Sequence, residues 1–358
     1  MQVAYMVNTK FMALGATALR SNLVHLRHPY KLTFSITYRC QSRCITCNIW
    51  QMKPVNELTI EEIREFAMKN SYFRWIEITG GEPFLRGDVV EIVRAFRESC
   101  KGLYLLTMPT NSLCGTAAEL RKIEEILSLG VPKVSITVSL DGYRELHDRI
   151  RGIPGNFDRA IAIFKGLKEL RKRHRNLFMV FGYTMSRFNQ GQFARTFAEV
   201  RKEIPDLAYN DFHLNAGQVS DIYYSNLDLD LGVSKETAAG EVREFLKMRK
   251  PQVGAIPAIE GVFLRKLLEY IKTGKTPIRS RSLDASLFLD SYGNVFPSIM
   301  WGRRIGSIRS TNYSLEPIWH SREAEEVRTL IKAGKEPDSW TACEAYQAIV
   351  GNVSSFIL

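Results

Sequence analysis

Residues 38–50 read YRCQSRCITCNIW and carry Cys40, Cys44 and Cys47, so three of the six cysteines of the chain lie on one short segment. Thiolates from one loop with this C-x3-C-x2-C spacing can bind three irons of a cubane iron–sulfur cluster and leave the fourth iron without a protein ligand. An open coordination position on a bound metal is where substrate chemistry takes place. The segment therefore predicts a metal-binding loop with one vacant position.

A structural zinc site is the alternative interpretation of the same cysteines, and it requires a fourth ligand close by. The candidates are His25 and His28 upstream and Cys100 and Cys114 downstream. None of them has the short spacing from the loop that is typical of a zinc knuckle, so the sequence favours an iron–sulfur site. Six cysteines in 358 residues do not indicate a disulfide framework, and three on one loop fit a reducing cytosol.

Six β-rich runs alternate with helical patterns along the chain. The runs cover residues 31–38, 75–83, 102–108, 133–140, 177–185 and 207–215, and the helices between them cover 59–70, 88–100, 116–129, 156–173 and 190–203. This alternation is typical of βα units and a mostly parallel sheet. Six strands are fewer than the eight of a closed barrel. We therefore predict an α/β fold, a partial (β/α)6 TIM-like barrel with a small C-terminal α+β extension.

The chain divides into three predicted segments, and residues 31–233 form the barrel core. Residues 1–30 contain an apolar run from Phe11 to Leu19, too short to cross a bilayer, and predict an amphipathic helix. This helix packs on the flank of the domain, lies on an anionic membrane or lines an apolar substrate entrance. Residues 234–358 predict a helical linker and a cap with a β-hairpin at 286–298.

The net charge of the chain is +11, from 49 basic and 38 acidic side chains. A positive balance favours anionic partners such as phosphates, nucleic acid or a membrane surface. Because the basic residues are spread along the chain, solubility explains the charge equally well. Nucleic acid is the least favoured partner, since the sequence has no aromatic-basic platform.

Polar or glycine-rich residues follow three of the predicted strands. Gly80, Gly81, Glu82 and Pro83 end the second strand, Asn111 follows the third, and Ser139 and Asp141 follow the fourth. Ligands of parallel α/β proteins bind at the carboxyl ends of the strands, so we expect these residues beside the cysteine loop. Two glycines allow a ligand to approach the backbone closely, and we expect a side chain at Gly81 to block that approach.

These motifs resemble those of the radical S-adenosylmethionine (SAM) superfamily, and the resemblance covers about residues 30–220. The three cysteines match its cluster motif, GGEP at 80–83 matches its SAM amino-group motif, and SLDG at 139–142 with 147–161 resembles its ribose and carboxylate segment. One departure is Thr46, where the family often has an aromatic residue; Trp50 is a candidate to cover the cluster instead. The resemblance implies that Asn111 and Arg151 also bind SAM.

The resemblance implies two cofactors, a [4Fe–4S] cluster and SAM, and a 5′-deoxyadenosyl radical that abstracts hydrogen from a substrate. It also implies an electron donor such as a flavodoxin or ferredoxin, a peptide or small-molecule substrate, and a cytoplasmic location. Two alternatives stay open at this point. One is a radical SAM enzyme that modifies a lipid or isoprenoid at the membrane surface, and the other is a non-catalytic binding protein. No catalytic residue is assigned.

The C-terminal segment resembles the SPASM/twitch extension of the same superfamily, which usually binds auxiliary clusters. Serines stand at Ser282, Ser298 and Ser339, where that extension has cysteines, and Cys343 alone remains. Serine is a poor ligand for iron–sulfur sites, so we predict that no intact auxiliary cluster forms, whether these serines are natural or introduced. We interpret Cys343 as a small buried apolar residue.

The segment at and beyond the sixth predicted strand, DFHLNAGQVSDIYYSN at 211–226, is rich in hydrogen-bonding and aromatic side chains. Five of these are candidates to line a substrate cavity: His213, Asn215, Gln218, Asp221 and Tyr223. Ordinary loop and core roles are the alternative.

Overall fold

The computed structural model describes residues 2–356, with the side chains of residues 9–352 and 354–356. Its strands are β1 (Lys31–Ser35), β2 (Trp75–Thr79), β3 (Leu105–Thr110), β4 (Lys133–Ser139), β5 (Leu177–Met185), β6 (Phe212–Ala216), β7 (Ser286–Leu289), β8 (Asn294–Phe296) and β9 (Gly306–Ser307). They form one sheet in the order β6-β5-β4-β3-β2-β1-β7-β8-β9. Strands β1 to β7 are parallel, and β8 and β9 continue the sheet antiparallel.

The helices lie between and after these strands. They are α1 (Gln2–Arg20), α2 (Ile60–Lys69), α3 (Val89–Ser99), α4 (Thr116–Ser128), α5 (Arg144–Arg151), α6 (Asn156–Arg173), α7 (Phe193–Glu203), α8 (Lys235–Met248), α9 (Ala255–Thr273), α10 (Glu316–Trp319), α11 (Arg322–Lys332) and α12 (Ala342–Val350). Each helix from α2 to α7 lies in a connection between two parallel strands, as expected for a βα barrel. The sheet ends at β6 and β9, so the barrel is partial, as predicted.

Alternation along the parallel strands separates an apolar outer face from a polar inner face. On β2, Ile76 and Ile78 belong to the core that packs against the helices, whereas Glu77 and Thr79 lie on the other face. On β6, Leu214 packs in the core and His213 points to the opposite face. Parallel strands that are buried on both faces are apolar throughout, so this alternation indicates a polar barrel interior.

The hairpin predicted at 286–298 is present as β7 and β8, and it is continuous with the barrel. Strand β7 pairs in parallel with β1, in the register Lys31↔Ser286 to Phe34↔Leu289. The sixth strand begins at Phe212 rather than at residue 207, because residues 209–211 form a 3-10 turn. The extension therefore adds three strands to the same sheet as the barrel.

Helix α1 lies at the end of the barrel where the parallel strands begin. Its Leu14 and Ala18 pack in one cluster with Ala285, which precedes β7, and the ring of Phe11 lies 5.4 Å from that of Tyr104, just before β3. The helix thus packs on the flank of the domain, one of the three predicted interpretations. It does not line an entrance at the carboxyl ends of the strands. No described helix is long and apolar enough to cross a bilayer.

Helix α12 closes the lower part of the barrel interior through the buried side chain of Lys31, the first residue of β1. The Lys31 ammonium lies 3.0 Å from Glu77 Oε2 and donates to Gln347 Oε1 at 2.9 Å and to the carbonyl of Cys343. A buried ammonium is stable only when it is paired and hydrogen-bonded. These contacts fix α12 against β1 and β2.

Candidate functional site

Backbone hydrogen bonds hold the cysteine loop on two sides at the carboxyl ends of the strands. The N–H groups of Arg43 and Ile45 donate to the carbonyls of Arg151 and Ile150 at the end of α5, each at 2.9 Å. On the other side, the Asn48 N–H donates to the Tyr224 carbonyl at 2.9 Å. The loop is therefore fixed by residues that lie more than 100 positions away in the sequence.

The three thiols of the loop are partly buried. Burial, with smaller contributions from the other thiols of the loop, raises the pKa of Cys40 and of Cys47 to about 12. Polar groups surround them: Asn111 Nδ2 lies 3.6 Å from Cys40 Sγ, and Arg151 Nη1 lies 3.8 Å from Cys44 Sγ. Soft thiolate donors suit an iron–sulfur cluster. Among the described residues, no three His, Cys, Asp or Glu side chains are grouped as ligands of one metal ion.

The two glycines after β2 accommodate the cysteine loop itself, which differs from the expected role. A Cβ atom at Gly80 would lie 2.2 Å from the Thr37 carbonyl oxygen. One at Gly81 would lie 2.3 Å from the Arg39 carbonyl oxygen and 2.9 Å from Cys40 Cβ. A side chain at Gly81 would therefore also displace the segment that carries Cys40, and its expected effect on SAM binding stays a prediction.

The buried carboxylate of Glu82 connects the ends of β2 and β3. It accepts hydrogen bonds from the backbone N–H groups of Phe84 at 3.0 Å and Asn111 at 2.7 Å. Burial, and then the neighbouring Glu119 carboxylate, raise the pKa of Glu82 to about 8. Pro83 begins the short 3-10 turn that follows. Both oxygens of Glu82 are thus occupied by the protein, which places Asn111 beside the cysteines.

A buried ion pair lies where β4 ends. Arg151 Nη2 lies 2.6 Å from Asp141 Oδ2, and Asp141 Oδ1 accepts from the Thr184 N–H at 3.0 Å. The same guanidinium reaches Cys44, so one cation links the SLDG segment to the cysteine loop. Ser139 ends β4 on the inner face and is half-buried. Ser139, Asp141, Arg151, Gly80 to Pro83 and Asn111 are thus brought to one edge of the sheet.

The segment after β6 packs against the cysteine loop. Asn226 Nδ2 donates to the Thr46 carbonyl at 3.0 Å, and the Tyr223 hydroxyl donates to the Gly80 carbonyl at 3.1 Å. Ile49, rather than Trp50, packs in the cluster with Cys40 and Cys47. Sequence reasoning missed the roles of Tyr224 and Asn226, because only the folded structure brings residues 220–228 to the loop.

The five candidate substrate-lining residues lie in different surroundings. His213 and Asn215 lie on the inner face of β6, and Tyr223 is buried against Gly80. Gln218 accepts from the Tyr270 hydroxyl at 3.1 Å, and Asp221 is exposed. The two residues on β6 therefore face the barrel interior, and the Tyr223 hydroxyl contacts Thr79 Oγ1 on the same inner face.

The three serines of the C-terminal segment lie close together, and Cys343 points elsewhere. Ser298 and Ser339 line a cavity of about 10 Å³ with Glu344, whose Oε2 accepts from Ser282 Oγ at 3.1 Å. The Cys343 thiol donates to Glu77 Oε1 at 3.0 Å, towards the barrel interior. The interpretation of Cys343 as an apolar residue is therefore wrong, since its thiol is hydrogen-bonded to a carboxylate.

Comparisons with known proteins identify the class that this fold and site define. The fold is similar to that of the solved structure of native anSMEcpe with bound AdoMet, with a TM-score of 0.59 at 15% identity, covering 92% of this chain and 96% of that one. Residues 34–190 match the Radical SAM superfamily. This segment is therefore a Radical SAM domain, and the cofactors of that superfamily are a [4Fe–4S] cluster and SAM, as the sequence predicted.

Two relatives are similar over longer stretches. The AdoMet-dependent heme synthase of Methanosarcina barkeri is 32% identical over 191 residues, which are 52% of this chain and 51% of that protein. The pre-heme d1 synthase of Dinoroseobacter shibae is 24% identical over 313 residues, 78% of this chain and 71% of that protein. The chain spans about half the length of the first relative.

Proposed function

We propose that the protein reductively cleaves SAM at a [4Fe–4S] cluster and that the resulting 5′-deoxyadenosyl radical abstracts hydrogen from a substrate. The observation that carries this proposal is the fixed position of the cysteine loop. Three partly buried cysteines lie on this loop at the carboxyl ends of the parallel strands, next to a buried guanidinium and the polar inner face. Ligands bind at this edge in parallel α/β proteins.

Each group of residues has a distinct proposed role. Cys40, Cys44 and Cys47 hold three irons, and the fourth iron is left for the amino and carboxylate groups of SAM. The proposed SAM-binding residues are Gly80, Gly81, Glu82, Pro83, Asn111, Ser139, Asp141 and Arg151. The bound cofactors supply the one-electron cleavage, and the protein positions the reactants and excludes water.

The polar inner face of the barrel supports a polar substrate, either a small molecule or a segment of a peptide. Hydroxyl groups of Thr33, Thr79, Thr107 and Thr137 and the carboxylate of Glu77 lie on this face. An electron donor such as a flavodoxin or ferredoxin completes the proposal. The direction of the net reaction depends on the substrate.

The test is anaerobic reconstitution with iron and sulfide, followed by measurement of 5′-deoxyadenosine from SAM and dithionite. We expect about four irons per chain and 5′-deoxyadenosine formation in the native protein, and loss of both in Cys44→Ser. Cys100→Ala is the matched control, because Cys100 is buried among core residues next to α3. If reduced, cluster-loaded protein forms no 5′-deoxyadenosine, the protein is a binding protein instead.

We also propose that α1 contacts an anionic membrane surface, for which two observations speak. Met12 and Leu19 on α1, and Leu23 just after it, are exposed by 64%, 53% and 86%, although Leu14 and Ala18 of the helix pack on the domain. The first 30 residues contain Lys10, Arg20 and Arg27 and no Asp or Glu. Exposed apolar side chains on a basic helix favour binding at an anionic lipid interface.

Liposome flotation tests the membrane contact. We expect the protein to float with phosphatidylglycerol vesicles, and the double variant Met12→Glu/Leu23→Glu to stay in the dense fraction. Val253→Glu is the control, since Val253 is fully exposed in a different segment. Two results would contradict this contact. One is that the native protein floats equally well with phosphatidylcholine vesicles, and the other is that it does not float with phosphatidylglycerol vesicles.

A further inference from the structure

Two polar atoms on the inner face of β6 are buried and have no hydrogen-bond partner. These are Nε2 of His213 and Oδ1 of Asn215, two residues further along the strand. Residues i and i+2 of a strand point to the same face, so the two atoms face the barrel interior together. Buried polar atoms without partners are rare in proteins and indicate a missing ligand or water.

The ring of His213 is held in one orientation through its Nδ1 atom. Its Nδ1 lies 3.0 Å from Glu260 Oε1 on α9, and the same carboxylate accepts from the Tyr346 hydroxyl and from Arg249 Nη1 at 3.3 Å. Although burial opposes it, His213 and Arg249 hold the pKa of Glu260 below its usual range. Glu260 is therefore an ionised carboxylate and accepts a hydrogen bond from the Nδ1–H group of His213.

The hydrogen bond to the Glu260 carboxylate places a proton on Nδ1 of His213. A neutral ring with its proton on Nδ1 presents the lone pair of Nε2 to the interior. His213 Nε2 and Asn215 Oδ1 are then two hydrogen-bond acceptors without donors.

The position of His213 places these acceptors near the proposed SAM site. His213 pairs with Gly182, and Gly182 pairs with Ser139 at the end of β4. Two strand spacings separate His213 from Ser139, about 10 Å. Gly182 has no side chain between them, and a Cβ atom there would lie 2.7 Å from Thr137 Cγ2. The side chain of Thr137 therefore occupies the space over Gly182 on the inner face.

We propose that His213 and Asn215 bind the substrate, and that the substrate presents hydrogen-bond donors to them, as hydroxyl, amine or amide groups do. This inference rests on the proposed function in calling the bound molecule a substrate. The binding itself does not depend on that function. A ligand that has only hydrogen-bond acceptors, such as sulfate, would place its lone pairs against those of His213 Nε2 and Asn215 Oδ1. Such a ligand is therefore not expected to bind. Glu260 is a positioning residue, because it accepts from Nδ1 of His213 and so fixes the tautomer of the ring.

The test uses the full chain without cluster, labelled with 15N at its six histidines. The His213 signals are assigned by their loss in His213→Gln, and D-glucosamine and sulfate are the probes. We expect an unprotonated Nε2 that shifts saturably with glucosamine and not with sulfate. Asn215→Leu is expected to weaken glucosamine binding about fivefold, the value of one ordinary hydrogen bond.

Glu260→Gln is expected to move the proton of the His213 ring from Nδ1 towards Nε2. If Glu260 only supported the fold, the substitution would leave the tautomer of His213 unchanged. The tautomer is read in the unmutated protein, so the test stands even where a variant does not fold. A proton on Nε2 in the native protein, a shift with sulfate or no shift with glucosamine would overturn the inference. A negative 5′-deoxyadenosine assay with a positive glucosamine titration would refute the proposed function alone.

Discussion

Arg151 joins three parts of the site through one buried residue. Its guanidinium pairs with Asp141 and reaches the Cys44 thiol, and its carbonyl accepts from Arg43 in the cysteine loop. The planar fork of arginine suits two partners at once in a way that the single ammonium of lysine does not. The cation therefore connects the end of β4 to the loop, whichever ligand binds between them.

Loss of the Asp141 charge is expected to destabilise the fold, because it leaves the Arg151 guanidinium buried without its counter-ion. Breaking such a buried pair costs about 3–5 kcal/mol. Urea unfolding of Asp141→Asn measures this free energy. Asp230→Asn removes the partner of Arg187 in an exposed pair and is expected to cost less than about 1 kcal/mol. Equal losses of unfolding free energy in Asp141→Asn and Asp230→Asn would show that the buried pair contributes no more to stability than an exposed one.

A methyl group at Gly81 is expected to lower the iron content of the reconstituted protein. The added Cβ atom would lie 2.3 Å from the Arg39 carbonyl oxygen, so the loop that carries Cys40 must move. Iron analysis of Gly81→Ala after anaerobic reconstitution checks this, with less than half of the native content as the expected result. Gly87→Ala is the control, since no atom lies within 4 Å of a Cβ there. Native iron content in Gly81→Ala would be evidence against this account of the glycine pair.

At the scale of elements, α2 is tied to the extension by a carboxylate at its first turn. Glu62 completes a capping box with Thr59 and pairs with Arg309, which follows β9, at 2.8 Å. The hydrogen bond from Arg309 is the main cause that lowers the pKa of Glu62 to about 2. An ion pair of this kind stabilises the folded state only while the carboxyl is ionised.

The contribution of this pair is expected to disappear in acid. A lowered carboxyl pKa gives stability that is present above the unfolded value of about 4.3 and is lost as the pH falls towards 2. The difference in unfolding free energy between the native protein and Arg309→Met is therefore expected to be constant above pH 6 and to shrink below pH about 4.5. Urea unfolding at pH 7, 4.5 and 3 measures it. Arg322→Met, at an exposed pair, is expected to show no such change, and a constant difference down to pH 3 would contradict the pairing.

Some of these elements could be predicted from sequence and others could not, for physical reasons. The six strands and the 286–298 hairpin follow from local alternation and turn residues, which neighbouring positions determine. The pairing of β7 with β1 joins positions about 250 residues apart, and the orientation of Cys343 towards Glu77 depends on how α12 packs. The edge that gathers Gly80, Asn111 and Asp141 was predictable because parallel strands place their carboxyl ends together. The role of Gly81 was not, since it depends on the path of a neighbouring loop.

For the whole molecule, one continuous sheet links the predicted core and cap. Strand β1 is hydrogen-bonded to β2 on one side and to β7 on the other, and Lys31 connects both to α12. The boundary predicted near residue 233 stays a prediction, and the pairing of β1 with β7 argues that the two segments unfold together. Cooperative units in hydrogen exchange usually follow such shared elements.

Hydrogen exchange measured by mass spectrometry tests this cooperativity. We expect the amides of β7 to show the same free energy of opening as those of β1, because each ladder depends on the other. The exposed segment around Val253 serves as the internal control for fast exchange. Exchange of β7 at a much lower opening free energy than β1 would mean that the extension is an independent unit.

The most direct measurement of the central claim is electron–nuclear double resonance on the reduced, reconstituted protein with SAM labelled with 15N at its amino group and 17O at its carboxylate. If Cys40, Cys44 and Cys47 hold a cluster with one open iron, both labels will show hyperfine coupling to the cluster. A reduced [4Fe–4S] signal without coupling to either label would contradict the account.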